Sequence, residues 1–512
     1  MPNYLAPGVY VEEVESGSRP IEGVGTAVAA FVGFAPKGPF NTPTLVTNWS
    51  QYAQIFGEFE PDCYLGHAVY GYFMNGGGAC YVVRVGGDRA GNGEAKAAIG
   101  PSATLGTYRV SAKELPGGGT ADDISVVVTD APEGSSDDKF TLQVKRGGKV
   151  EETFEGVTFK RGKDNVVTAV REKSKLITLE EAVPTAQLSR PQAGEVALAA
   201  PPPAPAAPAE VAPEEYVGDA AERTGFGGLE AVEDVTMVAV PDLMGAYQRG
   251  AIDLESVKAV QSAMIAHCEL MGDRMAILDP PPGLSPQQVK EWRTDQAGYD
   301  SKYAALYYPW IKVFDPATGV NRFIPPSGHI AGVWARNDNT RGVHKAPANE
   351  VVRGAVALET QLTRSEQELL NPIGVNCVRS FPGRGILVWG ARTLSSDPAW
   401  RYLNVRRLFN YLQESILNGT QWVVFEPNDE ALWARIRRTI SAFLTMEWRR
   451  GALFGLTPDE AFFVKCDRET NPAESIDAGQ VVCEIGVAPV KPAEFVVFRL
   501  AQMSGGTSLV SE

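Results

Sequence analysis

The chain has 512 residues, of which 44% are hydrophobic and 21% charged, with a formal net charge of −15. That balance belongs to an ordinary globular protein with length for about three domains. Its acidity excludes sequence-independent nucleic-acid binding by the surface as a whole.

The N-terminal stretch MPNYLAPGVYVEEV carries a short strand-like run, Val9, Tyr10, Val11 and Val14, set apart by Pro7-Gly8. Its counterpart at the other end is Phe495, Val496, Val497, Phe498 and Leu500, introduced by Pro489 and Pro492. Such strands need a sheet edge for their N–H and C=O groups, in the same molecule or in a neighbour. Residues 24–34 (VGTAVAAFVGF) predict a buried strand ended by the loop PKGPFNTP. A short helix over 48–56 follows, N-capped by Asn48 or Ser50. A second helix over Tyr64–Asn75 stops at Gly76-Gly77-Gly78, and Cys80–Val85 is a strand.

From about Asp88 the composition shifts to Gly, Asp, Lys, Thr and Val. ISVVVTD, KFTLQVKRGGKVEETFEGVTF and KLITLEE predict strands, with a hairpin turn at Gly147-Gly148. The Pro/Ala tract that follows predicts an extended spacer. Beyond it the α/β pattern resumes. VTMVAVPDL and MAILD are strands, and a helix over Leu254–Met271 aligns Val257, Val260, Met264 and Cys268. The loop PPPGLS and a helix over Gln287–Arg293 follow. AALYYPWIKVFD predicts one long strand, and GVNCVRSFPGRGILVWGARTL a hairpin. A helix over Arg401–Leu417 carries the stripe Val405, Leu408, Phe409, Leu412 and Ile416. WVVFEP predicts a strand before a long helix over Asp429–Arg449.

The division expected from this is an N-terminal arm (1–20), the first part of an α/β core (21–87) and an inserted β-rich domain (88–183). A linker (184–215), the main core (216–488) and a C-terminal arm (489–512) complete it. The fold class is α/β, mixed α+β, with extended terminal strand arms.

No constellation of an enzyme assembles from the residues. Asp242, His329 or His344, and Ser508 occur in the chain order of a subtilase triad. However, Ser508 lies four residues from the end with no helix to position it, and neither histidine has a His-Gly-Thr context. Gly225-Phe226-Gly227-Gly228 and Gly76-Gly77-Gly78 are not phosphate loops. The pairs Glu12-Glu13, Asp122-Asp123 and Glu180-Glu181 read as solvated charge, and His67 as a packing or capping residue. His329 and His344 flank Arg336, Asp338, Asn339, Thr340 and Arg341, a loop pinned by hydrogen bonds. Six cysteines without a CxxC pair (Cys63, Cys80, Cys268, Cys377, Cys466, Cys483) are expected to be buried reduced thiols. The four histidines lack metal-ligand spacing. No catalytic residue, metal or cofactor is therefore expected. With no leader pattern and no membrane-length apolar run, cytoplasmic synthesis is expected, without membrane insertion.

The stretches PPSGHIAGVWARNDNTRGVHKAPANE and LTRSEQELLNPIGVNCVRSFPGRGILVWGARTLSSDPAWRYLNVRRLFNYLQESI closely resemble the core domain of contractile tail sheath proteins. PGVYVEE, VAAFVGFAPKGP and DAGQVVCEIGVAPVKPAEFVVFRLAQ resemble the same family, leaving only about 88–215 without a counterpart. The resemblance implies stacked hexameric rings around an inner tube, with terminal arms lent to the sheets of neighbouring subunits. It implies contraction from a metastable extended state, triggered at a baseplate, without nucleotide consumption. The implied partners are further copies of the chain, the inner tube, baseplate and tail terminator or cap proteins, with no nucleic acid. The alternatives left open are another tail structural protein and an α/β hydrolase. The late helix carries Arg435, Arg438 and Arg449 roughly opposite its apolar stripe. They form a tube contact if that face lines the lumen, where the resemblance puts it, and a solvated basic face otherwise.

Overall fold

The computed structural model describes residues 20–60, 63–86 and 212–499, and, between the last two, 102–105, 107–112, 124–130, 139–160, 162, 164–181, 191 and 193–198. The chain divides into two compact units, 1–87 with 209–512, and 88–208.

The larger unit is built on a nine-stranded sheet. Its order is Glu350–Val351, Gly385–Val388, Val375–Phe381, Ala304–Tyr308, Met275–Leu278, Met237–Ala239, Val28–Gly33, Ala79–Arg84 and Thr44–Val46. The six strands from Val375–Phe381 to Ala79–Arg84 run parallel, and an antiparallel pairing closes each flank. Parallel strands covered on both faces read as unbroken apolar runs. Ala29, Ala30, Phe31 and Val32 are buried accordingly, as is all of Ala304–Tyr308. Val28–Gly33 pairs directly with Met237–Ala239, so segments before and after the smaller unit share one sheet.

Two helices, Leu65–Asn75 and Ser327–Arg341, lie against each other at glycines. A Cβ on Gly328 would stand 2.3 Å from Ala68 Cα, and one on Gly332 2.5 Å from the Tyr72 carbonyl oxygen. The second helix occupies the stretch read above as a pinned loop. Its polar residues are held as that reading required, but by helix packing. Arg407 bonds Asp338 Oδ1 at 2.9 Å, and Asn337 bonds the Lys345 carbonyl at 2.8 Å. Helix Leu254–Met271 has its four stripe residues buried, Asp253 as N-cap and Gly272 as a left-handed C-cap.

The long strand expected at AALYYPWIKVFD is two strands in two sheets. Pro309 lacks the N–H that would continue the ladder. Ile311–Phe314 instead pairs with Asn321–Ile324 and Ala355–Leu358. WVVFEP is not a strand either. Gln421–Val423 forms a 3₁₀ turn, Val424 and Phe425 are exposed, and Phe425 takes φ +67°. The helix expected at Gln287–Arg293 covers Pro286–Glu291 and continues as a π-helical turn, Trp292–Ala297.

The smaller unit has its own core, including Tyr108, Val126, Phe140, Leu142 and Ile177. A four-stranded sheet orders Gly194–Ala197, Ile124–Asp130, Lys139–Arg146 and Lys149–Thr158. Ser102–Leu105, Tyr108–Ala112 and Ile177–Glu181 make a three-stranded one. Gly147 and Gly148, with φ +55° and +80°, form the hairpin turn, which needs positive φ at both central positions. The tract 184–215 departs from the spacer reading. Gly194–Ala197 pairs antiparallel with Ile124–Asp130, and Pro213–Val217 is a short helix of the larger unit.

Candidate interaction surfaces

The residues of the subtilase order do not behave as a triad. The Asp242 carboxylate is buried and accepts N–H bonds from Phe34 (2.6 Å), Leu65 (3.1 Å) and Tyr64, so backbone surrounds it. Burial pushes it up to about 6 against these bonds. His329 lies buried in the glycine-lined helix contact, where a Cβ on Gly71 would meet its Nδ1 at 2.2 Å. His344 is half-buried in a different groove, and Ser508 lies outside the described residues. No cluster of His, Cys, Asp and Glu able to hold a metal occurs among the described residues. No described helix is long and apolar enough to cross a membrane.

Burial holds His329 down to about 3, and desolvation with the nearby Arg322 holds His67 down to about 4. A histidine lowered on folding leaves the unfolded chain binding more protons between the two values. The stability it preserves is complete above pH 6.5 and lost as pH falls below that. Asp242 and Asp279, raised to about 6 and about 7, have the opposite sign and favour the fold as pH falls through those values. The contribution of His329 is therefore read by difference. Between pH 7.5 and 5, the wild-type unfolding free energy should fall by about 2 kcal/mol more than that of His329→Gln. Parallel pH profiles from chemical denaturation would refute this.

The candidate surfaces toward the C-terminus are built on two long helices. Helices Leu403–Gly419 and Glu430–Arg449 pack through Leu408, Leu412, Leu432, Ile436, Ile440, Phe443 and Leu444. Of the long helix's outer arginines, Arg438 and Arg449 are exposed and make no ion pair among the described residues. Arg435 differs: it pairs with Glu426 at 3.2 Å and stands 4.3 Å from the centre of the Trp422 ring. Arg437 is turned inward onto the Cys466 carbonyl.

Beside this helix lies a two-stranded antiparallel sheet, Phe462–Lys465 with Glu484–Val487, which the sequence reading did not resolve. Its outer edges have no strand partner among the described residues. An isolated two-stranded ribbon is marginal in water, and open edges are templates for further strands.

The chain leaves this sheet through Leu453↔Pro489 and Val490 and crosses to the core. There Glu494 is clamped: Arg392 reaches its two oxygens at 2.9 and 2.6 Å, and Asn371 donates at 2.9 Å. Beyond the clamp, Phe495 to Phe498 are 68–84% exposed and form no ladder among the described residues. Of the arm strand expected at Phe495–Leu500, residues 495–499 take no strand pairing among the described residues, and Leu500 lies outside them, as do Val9, Tyr10, Val11 and Val14. The clamp was missed at the sequence level, where its one signal is Glu494 as the sole acid between Pro492 and the apolar run.

Family models for the phage tail sheath protein central domain and the phage tail sheath C-terminal domain match residues 219–394 and 395–502. The tail sheath protein of Burkholderia phage BcepMu is 25% identical over 520 residues, covering 97% of this chain and 96% of that one. That of Vibrio phage KVP40 is 28% identical over 294 residues, covering 54% of this chain; the match spans only 41% of that longer protein. Among solved structures, the anti-feeding prophage helical sheath in its contracted state is similar at a TM-score of 0.59. It is 25% identical, with 98% of this chain and 99% of that chain covered.

Proposed function

Because this chain belongs to the phage tail sheath family, we propose that it polymerises as stacked hexameric rings around an inner tube. In this reading it contracts from a metastable extended state and drives the tube through a target envelope. The observation that carries it is the apolar run Phe495–Phe498, exposed and unpaired among the described residues, in a chain that also holds a two-stranded sheet whose edges have no described strand partner. Four adjacent exposed apolar residues are a surface awaiting cover, and an open ribbon is a surface awaiting strands. Arms of neighbouring copies satisfy both needs, with the N-terminal run Val9–Val14 as a second added strand.

The protein works without catalysis. The energy of the stroke comes from repacking between two lattice arrangements. The exposed Arg438 and Arg449, with Arg435, face the tube, while the 88–208 unit lies on the outside of the sheath. Baseplate and terminator proteins cap the ends, and assembly takes place in the cytoplasm of the producing cell. Electron microscopy of the purified protein tests this reading. Tubes or polysheaths are expected, and a uniform field of discrete particles at every concentration would refute it.

A further inference from the structure

We propose that Cys466 and Cys483 are a built-in oxidation site that closes into a cross-strand disulfide at the mouth of the two-stranded sheet. The last ladder pair of that sheet is Lys465↔Glu484, so the next residues outward, Cys466 and Cys483, stand opposite each other. Facing residues of antiparallel strands have Cα atoms about 4.5–5.5 Å apart, inside the range of about 4.4–6.8 Å that a disulfide spans. The two thiols already hydrogen-bond to one another, and both are free. The other four cysteines are buried, each in a different part of the larger unit.

The two thiols differ in a way that orders the chemistry. Cys483 is half-buried and reachable, whereas Cys466 is buried. Around Cys466, Asn471 Nδ2 donates to the sulfur at 3.8 Å, and Arg437 bonds the residue's own carbonyl. Burial raises the Cys466 thiol above its ordinary value, and these two groups offset part of that rise. A small-molecule disulfide such as oxidised glutathione supplies the oxidant. The Cys483 thiolate attacks one of its sulfurs, breaks the S–S bond and expels one glutathione thiolate, which takes up a proton. The Cys466 thiolate then attacks the Cys483 sulfur and expels the second glutathione. Two protein S–H bonds are replaced by one S–S bond, and one oxidant S–S bond by two S–H bonds. Burial pushes the Cys483 thiol up to about 12, so little thiolate is present at neutral pH and closure is slow. The thiol/disulfide balance of the medium sets the equilibrium, so the pair is expected reduced in a thiol-rich medium and closed where disulfides accumulate.

The folded full-length chain is incubated with oxidised glutathione, alkylated and digested without reductant. The expected result is loss of two free thiols, a peptide containing Cys466 joined to one containing Cys483, and no retained glutathione. The rate should rise about tenfold per pH unit from 7 to 9. Cys466→Ser should stop at the mixed disulfide on Cys483, and Cys483→Ser should leave Cys466 unmodified while the chain stays folded by circular dichroism. Wild-type protein that keeps glutathione on Cys483 beside a free Cys466, or that links Cys483 between chains, would overturn the proposal. So would wild-type protein that keeps both thiols free under conditions in which an unfolded control oxidises.

Discussion

A chain ending at Glu494 is expected to fold, remain soluble and form no tubes. The clamp on Glu494 closes the described core at that residue. Of the described residues, removing 495–512 takes only 495–499, none of which belongs to the buried core or to the nine-stranded sheet. What it deletes is the exposed run Phe495–Phe498, whose backbone groups join no ladder among the described residues. Strand addition contributes about 0.5–1.5 kcal/mol per hydrogen bond, a small figure for one arm but one repeated at every subunit of a lattice. Deletion of residues 1–15 should act in the same way through Val9–Val14. Native circular dichroism with a monomeric sedimentation profile is the expected readout. Tubes of normal length from either truncation would remove the arms from the assembly.

Reversing Arg435, Arg438 and Arg449 to Glu should yield sheaths that polymerise without an inner tube or contract early. Exposed ion pairs are worth about 0–1 kcal/mol each and are screened by salt, which suits a grip that must be released during the stroke. The three positions are not equivalent. Reversal at Arg435 also breaks its pair with Glu426 and its stacking on Trp422. The Arg438→Glu/Arg449→Glu double variant is therefore the cleaner probe, because neither residue has an ion-pair partner among the described residues. Tube-filled extended sheaths at wild-type yield in low salt would return these arginines to solvent.

Runs whose burial is complete were legible in the sequence, because nothing competes with a strand buried on both faces. VAAFVG and MAIL are strands at the expected places. The readings that failed are those in which tertiary surroundings decide. WVVFEP has strand-forming side chains, yet it pairs with no strand among the described residues, and Phe425 sits in the left-handed region. The stretch 336–341 is polar enough for a loop, but its polar groups are absorbed by Arg407, Asn75 and the Lys345 carbonyl, and it stays helical. GEVA, embedded among prolines and alanines, gains an edge only when Ile124–Asp130 is folded. The partners in the clamp could not be read, since Arg392 and Asn371 lie 102 and 123 residues from Glu494.

The placing of that clamp fixes how the molecule bears tension. A pull on Phe495 enters at the Glu494 carboxylate and passes to the Arg392 guanidinium. Arg392 is locked through its own backbone N–H and C=O to the Asn376 side chain at 2.7 and 2.8 Å, and Asn376 belongs to a strand of the nine-stranded sheet. The load thus reaches the stiffest part of the molecule within three residues. The small ribbon Phe462–Lys465/Glu484–Val487 is bypassed, because it lies upstream of the clamp along the chain. A pull on the arm is therefore taken up by the nine-stranded sheet, while the ribbon stays out of its path.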